Sequence, residues 1–167
     1  MRLAFLLFFV LPFGYFFNFC SQPSNPKAVR PETSPVDTST VAIIVFNQNY
    51  DWPFKHTYTP TTLSENEIQQ LDSLFRQCIF IYNSNLASDR KRSYSIDFLK
   101  YKYKRQYIAV INDKGEKEVW INCFCNAQEK HWKTKIILVE DGGNCYFNLK
   151  INLTTKDCFE VSVNGYS

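Results

Sequence analysis

Histidine is almost absent: His56 and His131 are the only two in 167 residues. His56 sits in a Pro- and Thr-rich loop and His131 lies beside Lys130 and Trp132, so neither has a neighbour that suggests a catalytic triad. Both read as surface loop histidines. Cys-x-x-Cys is missing, which excludes the usual dithiol redox motif. A Cys-x2-Cys knuckle followed by a second pair is missing too, which excludes the usual structural zinc spacing. No internal repeat divides the chain. Acids such as Glu118, Glu140 and Asp141 are scattered, and no pair among them marks glycoside chemistry. No cofactor is implied. Net charge is only +3, although basic residues cluster at Arg90, Lys91, Arg92, Lys100, Lys102, Lys104 and Arg105. A solvated loop and strand edge explains that cluster better than a nucleic-acid patch, so no nucleic-acid partner is expected. An anionic surface or polymer outside the cell stays open.

What the chain has in abundance is apolar sequence at its start. Arg2 precedes a nearly unbroken run from Leu3 to Phe19, ending at Cys20. One positive charge before such a run reads as an export signal. Its length also matches the shortest bilayer-spanning helices, roughly 17 residues. Three fates are open: acylation at Cys20 as a lipoprotein, retention as an uncleaved anchor, or cleavage and release. Residues 1–20 are therefore a signal peptide or membrane anchor. Residues 21–40 hold Pro23, Pro26, Pro31 and Pro35 among Ser, Thr, Asn and Gln, without an aromatic residue. Such a stretch cannot bury enough apolar surface to offset its ordering entropy, so a disordered tether is expected there. Residues 41–167 then form a single domain, a length that suits one hydrophobic core.

Within that domain, one helix is announced by its own start signals. Ser64 can cap it, Glu67 completes a capping box, and Leu63 and Ile68 occupy the staple positions. Ile68, Leu71, Phe75, Cys78, Ile79 and Tyr82, widened by Leu74 and Ile81, recur at helical spacing with one buried face. The helix should fade around residues 83–85. Everything else reads as strand: 41–46, 105–112, 116–125, 135–140, 144–153 and 157–164. Gly115 supplies the turn conformation after Asp113 and Lys114, and Gly142 and Gly143 suit a hairpin turn. That turn explains Glu140 to Asn144 with fewer assumptions than a calcium cradle. For the last hairpin a three-residue loop is expected, with Ile151 opposite Phe159, Leu149 opposite Val161, Phe147 opposite Val163 and Lys150 opposite Glu160.

The predicted class is α+β: one amphipathic helix packed on an antiparallel meander of five or six strands. This order resembles that of cystatin-like and nuclear-transport-factor-like folds, in which a curved sheet wraps a helix. Such folds host inhibitors, enzymes and binding modules alike.

Cysteine arithmetic leaves five thiols if Cys20 is acylated, so at least one stays free or pairs between chains. Cys123 and Cys145, two strands apart in a meander, would be about 10 Å from each other, beyond disulfide reach. A bridge from Cys78 on the helix to Cys123, Cys125 or Cys145 is the most feasible, with Cys158 outside the cluster. An alternative use of Cys123, Cys125 and Cys145 is a metal or redox site, because Cys-x-Cys puts two thiolates on one strand face.

Asn is generally disfavoured in strands. Even so, Asn122, Asn148 and Asn152 lie opposite the apolar sets, accompanied by Trp120, Phe124 and Tyr146. An aromatic, amide-rich face suits sugar or peptide recognition. Trp120, Asn122, Tyr146 and Asn148 are the candidate ligand-binding residues, and packing of this face by the linker, the Trp52 loop or a twin subunit is the competing explanation. Asn152-Leu153-Thr154 also matches a glycan acceptor, at a strand end that suits it poorly.

Arg105-Gln106-Tyr107, the stretch from Asn112 to Cys125 and the stretch from Asp141 to Asn148 resemble segments of small exported or lipid-anchored proteins of Bacteroidetes type. The resemblance implies a bacterial cell-envelope location and no known activity. Together these features predict a non-catalytic, envelope-tethered binding domain for a glycan, peptide or protein, joined to the membrane through its N-terminus. The alternatives are a small helix-in-sheet enzyme and the cysteine site.

Overall fold

The computed structural model describes residues 37–49, 51–126 and 130–165. The leader over 1–20, Cys20 and the tether up to residue 36 lie outside them. The last tether positions, Thr38–Thr40, form a 3-10 turn that leads straight into β1 (Val41–Ile43). Then come β2 (Thr59–Thr61), α1 (Glu65–Asn85), α2 (Ser88–Tyr94), β3 (Lys104–Ile111), β4 (Lys117–Phe124), β5 (Tyr146–Asn152) and β6 (Asp157–Val163). The fold is α+β, with a helix packed on a six-stranded, mostly antiparallel sheet in the order β1-β3-β4-β5-β6, and β2 also pairing β3.

α1 starts where its signals place it. The Glu67 N–H donates to Ser64 Oγ at 3.3 Å, and the Ser64 N–H donates to Glu67 Oε2 at 2.8 Å. Leu71, Phe75, Cys78 and Ile79 are buried against the sheet, where they meet Tyr107, Ala109, Val119, Ile121, Leu149 and Ile151. Ile81 does not join them; it is 50% exposed. α2, which carries Arg90, Lys91 and Arg92, was not legible as a helix because it buries no residue and so has no apolar stripe.

Four strand expectations need correction. β1 pairs parallel to β3 rather than extending a meander. Thr59–Thr61 forms a short strand that its central Pro60 had disguised. Residues 136–139 are not strand, and β4 pairs directly with β5. Gln106 and Asn122 bond both backbone polar groups of Ile137, and Gln106 also takes Trp132 O and Lys135 O, so side chains occupy the place of ladder bonds at the centre of this segment. The glycines therefore make no hairpin turn. Gly142, at φ +95°, instead sits where a Cβ would come within 2.6 Å of the Tyr146 ring. Gly115, at φ +78°, closes the β3–β4 turn as expected.

The last hairpin is the fourth correction. Its loop has four residues, so Asn152 faces Asp157, Ile151 faces Cys158 and Lys150 faces Phe159. The Asn152 Oδ1 accepts from the backbone N–H of Thr154 and of Thr155, which stabilises the longer turn. A bulge between Asn148 and Lys150, with Glu160 at φ +54°, then restores the expected pairing of Phe147 with Val163. Lys150 still reaches Glu160, Nζ to Oε2 at 2.7 Å.

Candidate functional site

The sheet register gathers the candidate residues. Asn122 faces Asn148, Trp120 faces Lys150, and Phe124 faces Tyr146. They share the face away from α1. That face is covered by the molecule itself: Phe46 and Phe54 pack on Trp120, and Trp132 packs on Phe124 at 5.9 Å between ring centroids. Trp120 and Asn122 are buried, whereas Tyr146 and Asn148 are half-buried. The strand amides have structural partners. The Asn122 Nδ2 donates to Ile137 O at 2.7 Å and to Gln106 Oε1 at 3.0 Å. Gln106, fully buried, donates to Trp132 O and Lys135 O and accepts from the Ile137 N–H. The Asn152 Nδ2 donates to Glu116 Oε2 at 2.9 Å.

One margin of this face stays open. Trp52 is 46% exposed and stands edge-on to Trp120 with ring centroids 4.8 Å apart. The Trp120 Nε1 in turn donates to Asn148 Oδ1 at 3.4 Å. The result is an exposed indole on a rigid indole, with an oriented amide beside it. The sequence offers the Trp52 loop as one cover of this face, and the loop does pack there; what no local pattern states is that the Trp52 ring itself stays half-exposed.

The cysteines pair otherwise than expected. Cys78 does bridge helix to sheet, but its partner is Cys158, at a Cα separation of 5.9 Å. The four-residue turn puts Cys158 on the core face that Phe159 was expected to occupy. Cys125 joins Cys145, 5.1 Å apart at Cα, because no strand intervenes between β4 and β5. The alternative metal set of Cys123, Cys125 and Cys145 is thereby reduced to one thiol. Among the described residues Cys123 is the free cysteine, fully buried, and burial raises its pKa and keeps it protonated.

A cleft of about 410 Å³ opens on the helix side, where α1, the start of β3 and the segment before it meet. Arg105 lines it and is 8% exposed, contrary to the solvated strand edge expected for it. Arg105 shares its strand face with Tyr107 and Ala109, so the period-two pattern already aimed it inward. Its Nη1 donates to Asp72 Oδ1 at 2.6 Å, and the Arg76 Nε donates to Asp72 Oδ2 at 2.9 Å. Burial alone would raise the Asp72 pKa, but hydrogen bonds and charge from Arg105 and Arg76 outweigh it and hold the carboxyl below its ordinary value. Asp72 is thus an anchored anion at neutral pH and not a proton donor. Behind Arg105, the Tyr107 ring centroid lies 5.9 Å from the guanidinium carbon, and the buried Tyr107 hydroxyl has no hydrogen-bond partner among the described residues.

A second concavity, beside the β3–β4 turn, holds Glu116 and Glu118, both bonded by the Asn112 Nδ2 at 3.0 and 2.6 Å. Hydrogen bonds from Asn112 and Asn152 lower the Glu116 pKa. No group of three or more potential metal ligands converges among the described residues. His56 is held by Asp51, Nδ1 to Oδ1 at 2.5 Å, on an exposed loop. No helix of the described residues is long and apolar enough to cross a membrane. Comparison with family models, curated proteins and solved structures found no match.

Proposed function

We propose that the chain is a non-catalytic, envelope-tethered domain that binds a glycan at the open margin of its loop-covered sheet face. The observation that carries this reading is Trp52, half-exposed and seated on Trp120 beside Asn148. An exposed ring offers flat apolar area to a sugar, and a fixed amide supplies a directed hydrogen bond. Trp120 and Asn122 act here as the platform's support and Tyr146 as its flank, with direct contact left to Trp52 and Asn148. The apolar run from Leu3 to Phe19 and Cys20 supply the envelope tether, as in the exported Bacteroidetes-type proteins the chain resembles.

Titration of the full chain in detergent with a panel of neutral oligosaccharides, followed by tryptophan fluorescence, tests the site. Binding is expected, and Trp52→Ala is expected to lose it while keeping the fold, since this side chain is half-exposed and lies at the margin of the packed face. Unchanged binding by that variant, or no response to any sugar, overturns the site, and capture of peptides instead reassigns the ligand. Mass spectrometry of the mature amino terminus tests the tether. Acylated Cys20 or an intact, membrane-retained leader supports it; a full-length chain dissolved in the cytosol refutes it.

A further inference from the structure

We propose that the Arg105 cleft is a second binding site, on the opposite side of the sheet from Trp52, and that it takes the carboxylate of an acidic sugar residue. The first ground is the state of Arg105. A guanidinium carries five N–H donors in a fixed fork. Among the described residues, the only hydrogen-bond acceptor of Arg105 is Asp72, which takes one of them. The ring of Phe75 lies under the guanidinium at 5.4 Å, so the group is oriented as well as desolvated. Donors held in place in the wall of a cleft favour a planar anion that can accept two of them at once.

Charge and shape give the second ground. Arg76, Lys102 and Arg105 line the cleft against Asp37 and Asp72, three cations to two carboxylates, and Asp72 is already shared between Arg76 and Arg105. The walls are aromatic. Phe98 stands 5.6 Å from Phe75 and 5.9 Å from Tyr103, and Tyr101 stands 5.8 Å from Tyr103, as ring centroid separations. Flat apolar walls suit the faces of a pyranose ring, and the guanidinium suits its carboxylate. A volume of about 410 Å³ lies within the usual range for a small-ligand pocket. This site does not depend on the Trp52 platform, and either can fail alone.

Calorimetric titration of the full chain in detergent with oligogalacturonate, its fully methyl-esterified form and a neutral oligosaccharide tests the proposal. Oligogalacturonate is expected to bind, more weakly at high salt, and the methyl ester is expected to lose that affinity because it lacks the charge. Arg105→Gln is expected to weaken binding by about tenfold or more. Because Arg105 also ties helix to sheet, a rim variant provides a second arm. Lys102 is exposed, and Lys102→Glu should leave folding intact while reducing affinity by about threefold. Equal binding of ester and acid, affinity unchanged in both variants, or no binding of oligogalacturonate would overturn the site.

Discussion

Asp72 shows how a single residue joins packing to charge. It leaves the stripe face of α1 just far enough to meet Arg105, and its side chain is 17% exposed against 10% for Arg105. Removing one member of a buried pair leaves the other desolvated and unpaired, so Asp72→Ala should destabilise the domain by about 3 kcal/mol. Asp72→Ala combined with Arg105→Leu should recover much of that loss, because neither charge then stays buried. Urea denaturation of the three variants measures both effects. The pH dependence has a definite sign. The folded pKa of Asp72 lies below its unfolded value, so its contribution is complete above the unfolded pKa and disappears as pH falls through the folded one. Glu67, lowered chiefly by its hydrogen bond from Lys117, has the same sign. Stability should therefore fall below about pH 4, and Asp72→Ala should flatten that acid slope. Arg105 was visible in the sequence as a charge but not as a buried one. Its inward position follows from alternation along β3, whereas its partner thirty-three residues away follows only from packing.

At the scale of the element, legibility follows how local the deciding interactions are. The start of α1 is set by contacts within four residues of Ser64, and the cap and box expected there are present. Ser64→Ala should cost about 1 kcal/mol through loss of the hydroxyl that accepts the Glu67 N–H. A shift in the thermal midpoint, with an unchanged urea m-value, would show that the cap and not the compactness has changed. The β5–β6 hairpin is the opposite case. Burial on one face argued for a three-residue loop, yet Asn152 favours four, and the bulge at Glu160 reconciles the two. One extra residue there decides whether Cys158 or Phe159 faces the helix. Segment 136–139 has the branched, apolar composition of a strand. Gln106 and Asn122 use its backbone groups as a lid instead, a choice made by residues at least fifteen positions away.

For the molecule as a whole, the lid together with Phe46, Phe54 and Tyr58 closes one side of the sheet as α1 closes the other. This is why β3 and β4 are buried on both faces and why Trp120 and Asn122 support a surface without forming it. Two disulfides cross-link the result. Cys78–Cys158 spans 80 residues and Cys125–Cys145 spans 20. Chain entropy alone makes them worth about 4.5 and about 3.3 kcal/mol respectively. Replacing the first pair by serine should therefore lower the melting temperature more than replacing the second, as calorimetry under non-reducing conditions would measure. The reverse order would show that strain or residual unfolded-state structure dominates.

By itself the sequence determined the class of fold, the place and start of α1, the β3–β4 turn at Gly115 and the division of side chains between the two faces of β4 and β5. Each of these rests on periodicity or on contacts between near neighbours. Tertiary structure alone decided the parallel seat of β1, the pairing of the cysteines, the lid over the second face and the burial of Arg105 against Asp72. Those depend on which distant segments meet, and a local pattern states what a segment can bury without stating what will cover it.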